Sequence, residues 1–248
     1  MNRYTMLMDF TASLVNRLSL VVLYCSMSLL LATNTQAQIS VDRIIMTYKA
    51  SDRPIQNVAV FNAGEKPLGV EVIPEIVENP GLPNEKRTAT KDLIVSPKRF
   101  SIQAGGQRTL RLLLKSMPKD KEKVFRVRLQ PNYTITEEEG ETTSTPNAPE
   151  TKIQIITTVG ILIFAEPKEI VSNLTWKRGI DSVEFQNDGN SNVFIDEVKE
   201  CNAEETRCQE ISGTRLYPGA SFKIPVSKNH VVSFRKQISE RFETIRVD

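Results

Sequence analysis

The stretch TKIQIITTVGILIFAEP, running from Thr151 to Pro167, decides how the rest of the chain is read. Ile153, Ile155, Thr157, Val159 and Ile161 alternate onto one face of an extended backbone. Lys152, Gln154, Ile156, Thr158, Gly160 and Leu162 take the other face. No charge interrupts Gln154 to Ala165 and β-branched residues dominate, which is the composition of a strand. Pro167 ends it. Periodicity leaves two roles open. The segment is either a central sandwich strand buried on both faces, or an edge strand lent to a partner, where backbone pairing gives affinity and alternate side chains fill pockets. An unused edge of this kind would be an aggregation hazard.

Working outward, Thr136 to Glu150 (TEEEGETTSTPNAPE) is polar, acidic and carries Pro146 and Pro149, so it reads as a long loop leading into that strand. Upstream, β-rich runs recur between turn residues. Strands are expected at Ile39–Tyr48, Ile55–Asn62, Leu68–Val77, Leu93–Ser96, Phe100–Ile102, Gln107–Leu114 and Val124–Tyr133, with Lys152–Phe164 completing the set. Asn62-Ala63-Gly64, Asn79-Pro80-Gly81, Ser96-Pro97 and Ala104-Gly105-Gly106 supply the turns. A second series follows at Leu174–Lys177, Ser182–Asn187, Val193–Cys201, Arg215–Tyr217, Ser221–Pro225, Val231–Phe234 and Arg241–Val247. Its turn signals are Asn187-Asp188-Gly189-Asn190 and Pro218-Gly219. Short strands so spaced predict an all-β chain of two antiparallel sandwiches, residues 38–168 and 169–248.

The N-terminus has a different logic. Arg3 and Arg17 precede an apolar run from Leu18 to Ala32, and Thr35-Gln36-Ala37 places small residues where a signal peptidase reads them. Residues 1–37 are therefore expected to be a cleaved signal peptide. The run is shorter than the roughly 20 apolar residues a comfortable span needs. Tyr24 before Cys25 argues against a lipoprotein site. Removing Arg3, Arg17 and Asp9 takes the 32 basic and 30 acidic residues to 30 and 29. Such a balance gives no electrostatic reason to expect nucleic acid or a membrane surface. Cys201 and Cys208 remain, and in an oxidising compartment a disulfide is the first expectation. A metal pair is the alternative, weakened because His230 is the one histidine and has no ligand-like neighbours.

Catalytic constellations do not emerge. The sequence holds no His-Glu-x-x-His, no Gly-x-Ser-x-Gly and no phosphate-binding glycine loop. Glu137-Glu138-Glu139 lies in the acidic loop and reads as a solvated charge run. A hydrolase would have to be built on His230. No enzyme, cofactor or metal is expected.

Several segments together resemble one family. Leu93 to Arg111 (LIVSPKRFSIQAGGQRTLR), the strand Val124 to Leu129 (VFRVRL), the acidic loop and the strand Lys152–Pro167 come in the order found in periplasmic pilus chaperones of the chaperone–usher system. The second half adds Asn187-Asp-Gly-Asn190, the Cys201/Cys208 pair and Leu216-Tyr-Pro-Gly219. The combination is most similar to the alternate-pathway branch that serves colonisation-factor and common-pilus fimbriae. The resemblance implies two immunoglobulin-like β-sandwich domains in an L-shaped arrangement, a periplasmic location, and no cofactor. It also implies a mechanism, in which the chaperone lends a strand to a pilus subunit (pilin or tip adhesin) that lacks its last one, and surrenders it at an outer-membrane usher. The lent residues would be Ile153, Ile155 and Thr157, with Val159 continuing the face. The free chaperone could cap the same edge by self-association.

The sequence departs from the family at one point. Conventional members hold the subunit's terminal carboxylate with an Arg on the first strand and a Lys near the end of the donor strand. Ile45 and Leu162 stand there instead. Arg126 and Arg111 lie opposite the apolar faces of their strands and are the expected replacements, with Arg43 and Lys152 behind them. Asp42 beside Arg43 suits a local ion pair equally. A structural pilus component or adhesin is the competing reading. Such a subunit would carry an N-terminal donor extension and lack a final strand, whereas here the first strand begins at once and Arg241–Val247 reads as a normal last one.

Overall fold

The computed structural model describes residues 38–132 and 157–247. Ten strands form the first half: β1 (Ile39–Val41), β2 (Ile45–Tyr48), β3 (Ile55–Asn62), β4 (Leu68–Glu78), β5 (Lys86–Ala89), β6 (Leu93–Ser96), β7 (Arg99–Ile102), β8 (Gln107–Leu114), β9 (Lys123–Asn132) and β10 (Val159–Ala165). They make one sheet in the order β1-β3-β8-β6 and a second in the order β2-β10-β9-β4-β5, where β7 also pairs with β4. The inward side chains interlock. Val58, Val60, Leu110 and Leu112 from one sheet meet Phe125, Val127, Leu129, Ile161 and Ile163 from the other, all fully buried. Each such side chain contributes roughly 1.5–3 kcal/mol.

The expected strand Ile39–Tyr48 is two strands in two sheets. At Asp42 the backbone exchanges its pairing with β3: the Asp42 N–H donates to the Ala59 carbonyl, and Asp42 Oδ1 accepts the Ala59 N–H, both at 3.0 Å. The side chain thus closes the β3 ladder, and the chain crosses to run parallel to β10. Tyr48 straps the sheets together at the end of this crossing. Its hydroxyl donates to the Leu112 carbonyl at 2.7 Å, and burial pushes its acidity to a pKa of about 12.

The second half comprises β11 (Leu174–Arg178), β12 (Ser182–Asn187), β13 (Val193–Cys201), β14 (Cys208–Ile211), β15 (Thr214–Leu216), β16 (Ser221–Pro225), β17 (Val231–Ile238) and β18 (Arg241–Val247). A β11-β12-β16 sheet packs on a β14-β13-β17-β18 sheet, with β15 also pairing with β13. Phe185 and Phe234 meet edge to face, centroids 4.9 Å apart, in a separate core with Val183, Ile195 and Val232. Cys201 and Cys208 are directly opposed on β13 and β14 and form the disulfide.

One device occurs in both sandwiches. Asn62 ends β3 and is buried. Its amide nitrogen donates to the carbonyls of Lys66 and Ile102, at 2.8 and 3.1 Å, and its oxygen accepts the Gly64 N–H at 3.0 Å. Asn187 ends β12 in the same manner, donating to Ser191 and Leu216 at 2.9 Å each and accepting from Gly189 at 3.0 Å. The two Asn-x-Gly turns are the same plug of loop backbone by a buried amide. At Gly189 a Cβ would stand 2.4 Å from the Val171 carbonyl oxygen, so no side chain fits there.

The sandwiches meet through polar as well as apolar contacts. Asn190 donates its side-chain amide to the carbonyls of Asp120, at 2.9 Å, and Glu169, at 2.8 Å, while its Oδ1 accepts the Val171 N–H at 2.8 Å. Glu122, preceding β9, is buried. Its Oε2 accepts from Ser191 Oγ at 3.0 Å, from the Asn192 N–H at 3.2 Å and from the Asn192 side chain. Burial raises the Glu122 carboxyl above the usual range against the pull of those donors and of nearby Arg215.

Two outcomes follow from these contacts. Asn62→Ala or Asn187→Ala leaves buried carbonyls and a glycine N–H without partners, so each is expected to lose about 2–4 kcal/mol in urea unfolding. For Glu122 the folded state holds its proton to higher pH than the unfolded chain. Its contribution is therefore fully present below the ordinary carboxylate range and lost as pH rises through the folded value. The stability of Glu122→Gln relative to the parent is expected to climb as pH is raised from about 4.5 to neutrality. A flat difference across urea titrations would show that the carboxyl ionises without penalty.

Candidate functional site

β10 is bordered unequally. β9 pairs with all of it, from Val159↔Leu129 to Ala165↔Lys123. On the other side β2 reaches only Leu162 to Ala165, where the Leu162 N–H donates to the Ile44 carbonyl at 2.8 Å. Val159, Gly160 and Ile161 therefore have no strand partner on that edge among the described residues. The two portions of β10 therefore differ in how their edges are paired. From Leu162 onward β10 is an interior strand, and from Val159 to Ile161 that edge is open among the described residues. Ile44 and Ile45, 61% and 50% exposed, stand where β2 begins beside this opening.

The site residues expected from the sequence are distributed as follows. Ile153 and Ile155 lie outside the described residues, as does Lys152. Thr157 is exposed and, with Thr158, precedes β10, which begins at Val159; the expected start at Lys152 lies outside the described residues. Val159 is half-buried against the first core, on the face that carries Ile161 and Ile163 inward. Arg126 is paired with Leu162 across β9 and β10. Arg111 is not beside β10. It sits on β8 between Asn57 and Ser96, in the opposite sheet. Alternation correctly gave it an outward direction, but that direction leaves from the other face of the sandwich. Arg43 is exposed and paired with Asp42 at 3.2 Å. His230, the anchor of any hydrolase reading, holds Glu200 at 2.9 Å. Among the described residues no group of three or more His, Cys, Asp or Glu could hold a metal ion.

Registers place the outward side chains of the β10 sheet in rows. One row runs Thr47, Phe164, Val124, Val77, Arg87 across β2, β10, β9, β4 and β5. The next runs Ile45, Leu162, Arg126, Glu75, Ala89, and the third Gly160, Arg128, Ile73. The first row is covered. Val77, Val124 and Phe164 cluster with Tyr217 from the second sandwich, and the Phe164 and Tyr217 rings lie 6.3 Å apart. The Arg215 guanidinium rests 4.8 Å above Phe164 and 5.0 Å from Phe194, and bonds Asn192.

Beyond that covered part, Arg87 at the exposed end of the first row joins Glu75, Arg126, Arg128, Thr158 and Gly160 in lining an open groove of about 370 Å³. Its charges are divided between partners. Arg128 Nη2 donates to Glu75 Oε1 at 3.2 Å. Arg87 gives two bonds to Glu85 Oε1, at 2.7 and 3.0 Å. The Gly81 N–H holds the Glu85 carboxyl below its usual range, with Arg87 adding to the effect. Arg126 has no ion-pair partner among the described residues, and its Nε is buried without a hydrogen bond. The groove thus presents a guanidinium available to an incoming anion. Sequence reading found Arg126 and its neighbour Arg128 by alternation. It missed Arg87, because nothing in the polar run Lys86–Ala89 marks it as a strand beside β4, and Glu75, because its place opposite Arg126 is set by the pairing of β4 with β9.

Comparisons with known proteins agree on the architecture. No curated protein sequence matches the chain. Among solved structures, the class 5 fimbriae chaperone CfaA is similar with a TM-score of 0.61 at 20% identity, covering 84% of this chain and 97% of that one. A chain of the chaperone–tip adhesin complex studied in CFA/I fimbriae biogenesis gives 0.58 at 19% identity, covering 85% and 98%. A chain of the CsuC–CsuE chaperone–tip adhesion subunit pre-assembly complex, from the archaic chaperone-usher Csu pili of Acinetobacter baumannii, gives 0.56 at 15%, covering 85% and 98%. At these identities the likeness carries the two-domain all-β fold. Family membership comes from the sequence model, which matches residues 37–171, over half of the chain. The chain belongs to the pili and flagellar-assembly chaperones, the family of the PapD N-terminal domain.

Proposed function

We propose that this protein is a periplasmic chaperone that binds pilus subunits by donor-strand complementation and delivers them to an outer-membrane usher. The observation that carries the reading is the half-open β10. Its Val159–Ile161 edge is unpaired beside an arginine-lined groove, while its other half is locked into the sandwich. A subunit strand added at this edge gains backbone hydrogen bonds, each contributing about 0.5–1.5 kcal/mol net. Ile153, Ile155 and Thr157 would place side chains in the subunit's incomplete core, and Val159 would continue into the chaperone's own. Residues 1–37 act as the export signal, 38–168 as the donor domain and 169–248 as the second sandwich that covers Phe164. The same edge would let two free chaperones cap each other.

Arg126 is the proposed carboxylate anchor. Ile45, Leu162 and Arg126 are consecutive in one cross-strand row. A cation lost from the first two positions is supplied by the third, one strand further in. Arg111, on the opposite sheet, is dropped from this role.

Co-expression with pilins encoded nearby tests the assignment. A 1:1 complex is expected to co-purify, and Ile153→Asp with Ile155→Asp is expected to abolish it while the free protein keeps its thermal unfolding midpoint. Unfolding of that double variant would instead mark the segment as internal core and remove the donor role. Failure of any pilin to co-purify would favour the adhesin or structural-component reading. Arg126→Ala is expected to weaken subunit binding about tenfold through loss of a charge-assisted pair. Undiminished binding, measured by titration, would take Arg126 out of the site.

A further inference from the structure

The groove holds its own competitor for the anchor. Glu75 is the registered cross-strand neighbour of Arg126, yet its carboxylate bonds Arg128, the diagonal neighbour. Glu85 likewise occupies Arg87. Glu75 is well shielded, its side chain 15% exposed, while Arg128 is 41% exposed. Of three guanidiniums facing one cavity, two are therefore occupied by internal carboxylates and one is left open. The opening itself depends on Gly160. A Cβ there would lie 3.6 Å from Arg126 Cδ, 3.8 Å from Cγ and 3.9 Å from Nη1, which is ordinary contact. A methyl group fits, but a branched side chain would extend over the guanidinium and fill the groove.

We infer that Glu75 and Gly160 set the strength and the access of the anion site: Glu75 holds Arg128 back so that an incoming carboxylate meets one guanidinium instead of two, and Gly160 keeps the path to Arg126 clear. The inference rests on the reading of Arg126 as the anchor. A carrier that must later surrender its subunit is served by an anchor of limited strength. A carboxylate fixed inside the groove limits it without blocking it. The ligand class is a single carboxylate at the end of an extended peptide, because the open charge is one guanidinium next to an open strand edge.

The probe is a short acetylated peptide of alternating Val and Thr ending in a free carboxylate, compared with its C-terminal amide. Binding to the mature protein is followed by fluorescence anisotropy, and the arginine Nε–H signals by NMR. The parent protein is expected to prefer the acid over the amide about tenfold. Glu75→Gln is nearly isosteric, and is expected to raise acid affinity roughly threefold, within the range of a partly exposed ion pair, with amide affinity unchanged. Under this variant the Arg128 Nε–H signal should begin to respond to the acid peptide. Gly160→Val is expected to bring the acid down to the level of the amide. Thermal unfolding of each variant separates a lost site from a lost fold. Weaker or unaltered acid binding by Glu75→Gln, or a retained preference in folded Gly160→Val, overturns the inference. If Arg126→Ala keeps the parent's acid preference, the anchor reading fails with it. If Arg126→Ala abolishes the preference while Glu75→Gln changes nothing, the anchor stands and this inference alone falls.

Discussion

The pairing of β10 is the constraint on which the rest depends. A β-branched, uncharged strand cannot leave both edges bare in water without inviting other chains to pair with it. Here β9 seals one edge completely, and β2 seals the other only from Leu162 onward. That half-seal requires the first strand to leave its own sheet. The side chain of Asp42 makes the departure possible by taking over the pairing with Ala59. Tyr48 then fixes the displaced segment to the opposite sheet through Leu112. Had β1 and β2 been one strand, the whole of β10 would lie on an unprotected edge.

The second sandwich is tied to the same strand. Its Tyr217 and Arg215 cover Phe164, and Arg215 is itself held by Asn192, which binds Glu122 on the first sandwich. Buried polar groups at such a junction are useful only when satisfied together. Asn190 adds bonds to Asp120, Glu169 and Val171, so the turn after β12 contacts the loop before β9 and the segment after β10. The apolar half of the outer face is consumed by this contact. What remains open on the sheet is the basic half.

Much of the architecture is legible in the sequence because alternation and turn residues report directly on strand ends. Ser182–Asn187, Val193–Cys201, Ser221–Pro225 and Arg241–Val247 emerge with the expected bounds. β5 and β14 do not, since Lys86–Ala89 and Cys208–Ile211 bury almost nothing and carry no periodic signal. The sheet switch at Asp42 was hidden for another reason. An aspartate in a strand reads as a local ion pair with Arg43, and only the position of Ala59 reveals its second role. The site was partly legible for the same physical cause. Alternation reports which way Arg126 and Arg111 point relative to their own strands, but sheet membership is a long-range property. It puts Arg126 next to Leu162 and Arg111 on the far side. The shared Asn-x-Gly plug was likewise visible as two turn signals, while its buried partners Ile102 and Leu216 come from distant strands.

If Arg126 is the anchor as proposed, sheet geometry accounts for how that cation moves without the fold changing. Cross-strand neighbours in one row lie about 5 Å apart. A long arginine side chain spans that distance easily, so a cation at Arg126 can serve the space above Leu162. Ile45 and Leu162 are then free to be apolar, and Ile45 presents an exposed hydrophobic surface beside the open edge. The proposed binding face would combine an apolar lip, an unpaired backbone and a single available guanidinium, in that order from the edge inward. On that proposal, an incoming chain would be extended along the open edge and negatively charged at its end.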